Sequence, residues 1–259
     1  MRTTSNPAFR NLPSGGYANF DYGQGQPPFG QTQAAPPQAT RPMTIDDVVT
    51  KTGITLGLAV ITAALTFMVG QAAVALALPA ALVGLVIALV ITFKKKVSPA
   101  LVIAYSAVEG VFLGGISWLF ATMFNPGIIM QAIVGTLGVF AAMLVVYKTG
   151  AIRVTPKLTK WIIGAVAGVA VMMLVNLVAS FFIDGGLGLR DGGPLAIGFS
   201  LLCIGIAAFS FLLDFDAADK AIRAGVDAKF AWYVAFGLMV TLVWLYLEIL
   251  RLLSYFQND

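Results

Sequence analysis

Histidine is absent from this 259-residue chain, and Cys203 is its only cysteine. Without histidine the chain lacks the commonest catalytic base and metal ligand, and any imidazole proton relay is excluded. A lone thiol in an apolar run forms neither an intrachain disulfide nor a thiolate metal cluster. Charge is scarce as well: Asp, Glu, Lys and Arg make up 11% of the residues, against about 25% in a soluble domain. The sequence carries no phosphate-binding loop and no nucleophile–base set, so an enzyme is not expected, and neither a cofactor nor a resident metal is implied.

What replaces these residues is apolar. Hydrophobic types make up 59% of the chain and the mean hydropathy is +0.89. Several long stretches must therefore face lipid, which makes the bilayer the first partner and the fold class an all-α, polytopic bundle. The net charge of +4 is accounted for by topology in such a protein and does not imply a nucleic-acid partner.

Residues 1–42 are of a different composition. Gly, Pro, Gln and Asn dominate, with Phe9, Tyr17, Phe20, Tyr22 and Phe29 scattered among them. Such a segment buries too little apolar surface to offset its ordering entropy, and it is expected to be a disordered tail. Its aromatics could alternatively act as points of self-association. Residues 43–259 then form the transmembrane domain.

"TIDD" at Thr44–Asp47 reads as a capping box that opens the first helix. Seven apolar spans follow, at roughly 52–71, 78–93, 99–124, 127–147, 161–183, 194–215 and 230–253, most of them near the ~20 residues a bilayer requires. The second is short and has Pro79 at its expected start, where a proline is tolerated. If the tail is inside, all but two of the 16 Lys and Arg also fall on inner segments, the exceptions being Arg190 and Arg251. This obeys the positive-inside rule. A multi-pass protein of the cell's inner (plasma) membrane is expected, with a cytoplasmic N-terminus and an external C-terminus. Gly110 and Gly114 in the third span, and Gly164 and Gly168 in the fifth, have the spacing that lets helices approach closely in lipid.

The remaining chemistry rests on intramembrane carboxylates, whose charge costs at least roughly 2.5–3.5 kcal/mol at bilayer depth. Glu109 lies mid-span, with Ser106 three residues earlier as a candidate hydrogen-bond donor. It is either a protonated core residue or a group lining an ion path. Asp216 and Asp219 have Lys220 and Arg223 four residues on, and both read as local helical pairs. Asp214 follows Leu212 and Leu213 and has no such partner, so it needs a distant one or a proton. Glu248, in "TLVWLYLEILRLLSYF", either pairs with Arg251 one turn on at the outer interface or lies near mid-depth.

"LYLEILRLL" at the end of the chain, "FSFLLDFDAA" at the end of the sixth span and "EGVFLGG" in the third together resemble the Bax inhibitor-1 (transmembrane Bax inhibitor motif) family over about residues 50–256. Glu248 stands where the family's closing motif has aspartate, and Asp214 matches the sixth-helix aspartate. The resemblance implies seven helices whose paired carboxylates sense pH, and in prokaryotic relatives gate a calcium leak. Two carboxylates in a low-dielectric site resist ionising together, so the pair can share a proton. Oxygen donors also suit Ca²⁺ as a transported ion. A straight last helix would nevertheless leave Asp214 at the inner face and Glu248 near the outer one, roughly 30 Å apart. Two functions compete: a pH-modulated Ca²⁺ leak working through Asp214, Glu248, Asp216 and Glu109, and a non-conducting regulator docked on a membrane protease or another membrane protein.

The charge pattern makes a direct prediction. A C-terminal reporter active only in the cytoplasm should be silent, and a bright one would remove a span and overturn the topology.

Overall fold

The computed structural model describes residues 41–93 and 98–257. Residues 1–40, assigned above to most of the tail, and Lys94, Lys95 and Lys96 of the inner-loop pattern lie outside them. Seven helices long and apolar enough to cross a membrane follow in order: α1 (Ile45–Met68), α2 (Ala72–Phe93), α3 (Pro99–Met123), α4 (Gly127–Thr149), α5 (Pro156–Ala179), α6 (Pro194–Arg223) and α7 (Ala231–Tyr255). Among the described residues the fold is all-α.

Local chemistry explains most of the boundaries. The capping box is present, with Thr44 accepting from the Asp47 backbone N–H and the Asp47 side chain accepting from the Thr44 N–H. Pro99, Pro156 and Pro194 each occupy the first helical position, where no backbone donor is lost. Gly150 ends α4 in the left-handed region, at φ 69°, which favours glycine. Two boundaries differ from the sequence reading. α2 begins at Ala72, so Pro79 lies inside the helix, a position tolerated in membrane helices because neighbours re-satisfy the freed carbonyl. α6 continues to Arg223, two turns past its apolar run, with Lys220 and Arg223 in the last turn, where cations complement the helix dipole.

α7 is the hub. It packs against α1, α3, α4 and α6, and most of its side chains are buried, from Val234 and Leu238 through Leu245 to Leu250. α5 touches chiefly α6 and leaves Ile163, Val171, Leu174 and Val178 exposed. Apolar side chains facing outward are normal where the surrounding solvent is hydrocarbon.

Of the four glycines singled out by their spacing, two stand at a close approach. A Cβ at Gly110 would collide with the Ala59 carbonyl and Thr62 Oγ1, and one at Gly114 with the Ala63 carbonyl. Both lie against α1, so α3 and α1 meet backbone to backbone. An added Cβ at Gly164 or Gly168 finds nothing within 4 Å; among the described residues the same spacing meets no close neighbour on α5.

A clasp fastens the start of α1 to the α6–α7 connection. Met43 N–H donates to Val226 O at 2.7 Å and Ala228 N–H to Arg41 O at 3.0 Å. Lys51 Nζ donates to Ala228 O at 2.6 Å, and Arg41 pairs with Asp47 at 2.7 Å. Arg41 and Pro42, the last two residues of the expected tail, are thus bonded into the helical domain.

Gly114→Val should lower the thermal stability of the detergent-solubilised protein, by about 1–3 kcal/mol for overpacking a tight contact, whereas Gly164→Ala should leave it unchanged. Equal melting temperatures for the two variants would contradict the α1–α3 contact.

Candidate functional site

Glu248 is buried, at 3% exposure, and its partner comes from far along the chain. Arg190, on the connection between α5 and α6, donates from Nη2 to Oε1 at 2.6 Å and from Nη1 to Oε2 at 2.9 Å. This is the bidentate fork that makes Arg–carboxylate pairs strong. Arg251 is the weaker neighbour, with Nη1 3.6 Å from Oε1. The expected local Glu248–Arg251 pair is present as the weaker of two ion pairs, while the bidentate bonds to both carboxylate oxygens come from Arg190. The guanidinium also stacks over Phe199, 5.3 Å from the ring centroid. Burial works to push the Arg190 pKa down, yet the hydrogen bonds and charge of Glu248 outweigh it and hold it above its ordinary value.

Asp214 sits on the α6 side of the seam with α7. Thr241 Oγ1 donates to its Oδ2 at 2.8 Å and lies 3.2 Å from the Gly237 carbonyl. The hydroxyl has one hydrogen and two acceptors in reach. When Asp214 is ionised the hydrogen serves the carboxylate. When Asp214 is protonated it can donate to Thr241 Oγ1, which frees the hydroxyl for Gly237 O. Gly237 faces the carboxyl group, since a Cβ added to it would meet Asp214 Oδ1 at 3.7 Å, an ordinary contact.

The separation of the two carboxylates needs correcting. Asp214 meets α7 at Thr241, seven residues before Glu248, which is about 10 Å along the axis. The 30 Å expectation failed because α6 runs on to Arg223, placing Asp214 well inside the bundle. The two carboxylates share the α6–α7 seam, but Asp214 bonds to Thr241 and Glu248 to Arg190; no bond joins them.

The other acids are accounted for separately. Asp216 pairs with Lys220 at 2.6 Å and Asp219 with Arg223 at 2.8 Å, as their spacing indicated. Glu109 is buried at 8% exposure against α2: a Cβ at Gly84 would lie 2.8 Å from its Oε2. Ser106 does not serve it. Its hydroxyl donates instead to Val102 O at 2.9 Å and approaches the Met239 sulfur at 3.3 Å, and Tyr105 is the polar neighbour of Glu109. An apolar cleft of about 400 Å³ lies between α1 and α4, with Leu56, Ala63, Ile133, Leu242 and Tyr246 in its walls. None of the carboxylates reaches it. Among the described residues no three acidic or thiol side chains gather as a metal site.

Arg190, Thr241 and Gly84 are the site residues that sequence reasoning missed. Arg190 did carry a signal, as one of the two basic residues on the sparsely charged face. A threonine in an apolar span and a mid-helix glycine carry none.

A family model described as "Bax inhibitor 1 like" matches residues 6–258, which extends the likeness beyond residues 50–256 and into the N-terminal segment. Comparison with curated proteins finds no match.

Arg190→Gln should destabilise the solubilised protein by about 1–3 kcal/mol, since it takes both hydrogen bonds from a buried carboxylate and leaves it only the weaker ion pair with Arg251. Arg190→Gln combined with Glu248→Gln should recover most of that loss. A thermal-melting double-mutant cycle reads the coupling, and additive losses would mean the pair is not formed.

Proposed function

The chain belongs to the Bax inhibitor 1 like family, and from that premise we propose that it is a pH-modulated cation leak with Ca²⁺ as the passing ion and the α6–α7 seam as its path. The observation that carries this reading is the Asp214–Thr241–Gly237 arrangement. It is a carboxyl group inside the bundle with a complete hydrogen-bond pattern in either protonation state. Ionisable groups at membrane depth mark ion and proton paths by default.

Glu248 and Arg190 close the other end of the seam. The guanidinium neutralises the carboxylate and sets a positive charge in the way of an entering cation. At low pH a protonated Asp214 offers a cation no charge. As pH rises Asp214 ionises, and the seam gains a negative oxygen ligand of the kind Ca²⁺ prefers. Conduction then requires Arg190 to move aside. Its connection has left-handed glycines at Gly185, Gly186, Gly188 and Gly192, a backbone with few side-chain constraints. In this reading Glu109, on the α2–α3 contact, belongs to the packed core, and Asp216 with Lys220 forms the charged inner mouth. The tail lies in the cytoplasm.

Ca²⁺ flux into liposomes reconstituted with the protein tests the proposal between about pH 5 and 8, the range into which burial moves a carboxyl group. Wild-type flux should rise with pH. Asp214→Asn should flatten the profile. The stability-matched pair Arg190→Gln with Glu248→Gln should raise flux severalfold while keeping the slope that Asp214 supplies. An unaltered profile in Asp214→Asn would remove the seam as the ion path. The regulator docked on a membrane protease would then lead, with deletion of residues 1–40 as its own test.

A further inference from the structure

The apolar cleft exists because its two flanking helices pack elsewhere, α1 on α3 and α7, and α4 on α7 and α6. Its volume of about 400 Å³ falls in the range of small-molecule pockets. Along α1 the wall runs from Leu56 to Phe67, about 16 Å by the helix rise. Val60 on one side and Ile133 and Leu137 on the other line the cleft and are exposed, so it opens between α1 and α4, within the spans. A ligand must therefore enter from hydrocarbon. Every residue in the walls is uncharged, which excludes an ionised head group from the interior.

Two hydroxyl groups meet in the wall. Ser117 Oγ and Tyr246 Oη lie 2.7 Å apart, and one donates to the other. Both residues line the cleft and are buried, at 7% and 9% exposure. The pair holds two hydroxyl hydrogens and uses one for the bond between them. The second has no acceptor among the described residues. Thr136, the third hydroxyl in the wall, directs its hydrogen to Ala132 O at 2.7 Å. A buried donor without an acceptor is costly, and an uncharged carbonyl oxygen would satisfy it. The hydroxyl oxygens also keep lone pairs, so a protonated carboxyl group, which both accepts and donates, matches the pair. A cavity of about 150 Å³ holds a benzene, about 25 Å³ per carbon, which gives this cleft room for about sixteen carbons. We propose that the cleft binds one long-chain fatty acid in its protonated form, with the carboxyl group on Ser117 and Tyr246 and the chain along α1. A diacyl phospholipid brings a second chain and a charged head, and fits neither the volume nor the walls.

The site shares no residue with Asp214, Thr241 or the Arg190–Glu248 pair, and its readout is binding, not flux. The full chain in neutral detergent at pH 5 is titrated with hexadecanoic acid, and native mass spectrometry counts the adducts. One adduct per chain is expected, with a rise in Tm of about 5 °C at a hundredfold excess over Kd. Tyr246→Phe keeps the ring and removes the hydroxyl. It should weaken binding about fivefold, the loss of one neutral hydrogen bond, and leave the Tm response to hexadecane unchanged. Ile133→Trp fills the cleft from its exposed rim and should remove the adduct and the Tm rise together. No adduct on the wild type, equal affinity in Tyr246→Phe, or an adduct that survives Ile133→Trp overturns the site. A phospholipid or a second copy of the chain that Ile133→Trp displaces instead would take the cleft as its own and overturn the fatty acid.

Discussion

A carboxylate buried on the most enclosed helix of a membrane protein must be neutralised, and in this chain the neutralising group is Arg190. The fork at 2.6 and 2.9 Å joins two segments 58 residues apart in sequence. It also fastens the glycine-containing connection before α6 to the end of α7. Removing Arg190 leaves Glu248 only the weaker ion pair with Arg251, and removing Glu248 leaves two guanidinium groups without their carboxylate, which is why the pair is worth more as a constraint than as a net source of stability.

The same demand for satisfied polar groups organises the other end of the bundle. Lys51 and the backbone of residues 41–43 bond to Val226 and Ala228, so the start of α1 and the turn into α7 are held together. Between these two fastenings α7 runs through the centre. Gly110 and Gly114 bring α3 against α1 and close the bundle around it. Helices outside this arrangement, α5 above all, present apolar side chains to lipid and gain little from packing inside the chain.

Asp214 lies between the fastenings and is served by a single side-chain hydroxyl. Thr241 can direct its hydrogen to the carboxylate or to the Gly237 carbonyl, so a change of proton at Asp214 requires only a hydroxyl rotation. Glu248 lacks that freedom because both of its oxygens are engaged. The two carboxylates thus differ on one seam: Asp214 is bonded by a hydroxyl that has a second acceptor in reach, and Glu248 by a forked arginine.

Much of this was legible in the sequence. Hydropathy over about 20 residues is a property of one segment alone, so seven spans could be read directly. The Thr44–Asp47 capping box and the Asp216–Lys220 and Asp219–Arg223 pairs are likewise contacts within one or two turns of a single helix. The motifs around Glu109, Asp214 and Glu248 indicated the family. What only the tertiary structure decided was which charge meets which. Glu248 takes its two hydrogen bonds from Arg190 and only a weaker ion pair from the nearer-in-sequence Arg251, because a helix turn fixes where Arg251 can reach, whereas the connection before α6 delivers a guanidinium to both oxygens. Asp214 lies two turns of α7 from Glu248 because α6 continues past its apolar stretch. Gly110 is crowded and Gly164 is not, although their spacing in sequence is the same, because crowding belongs to the neighbouring helix and not to the residue.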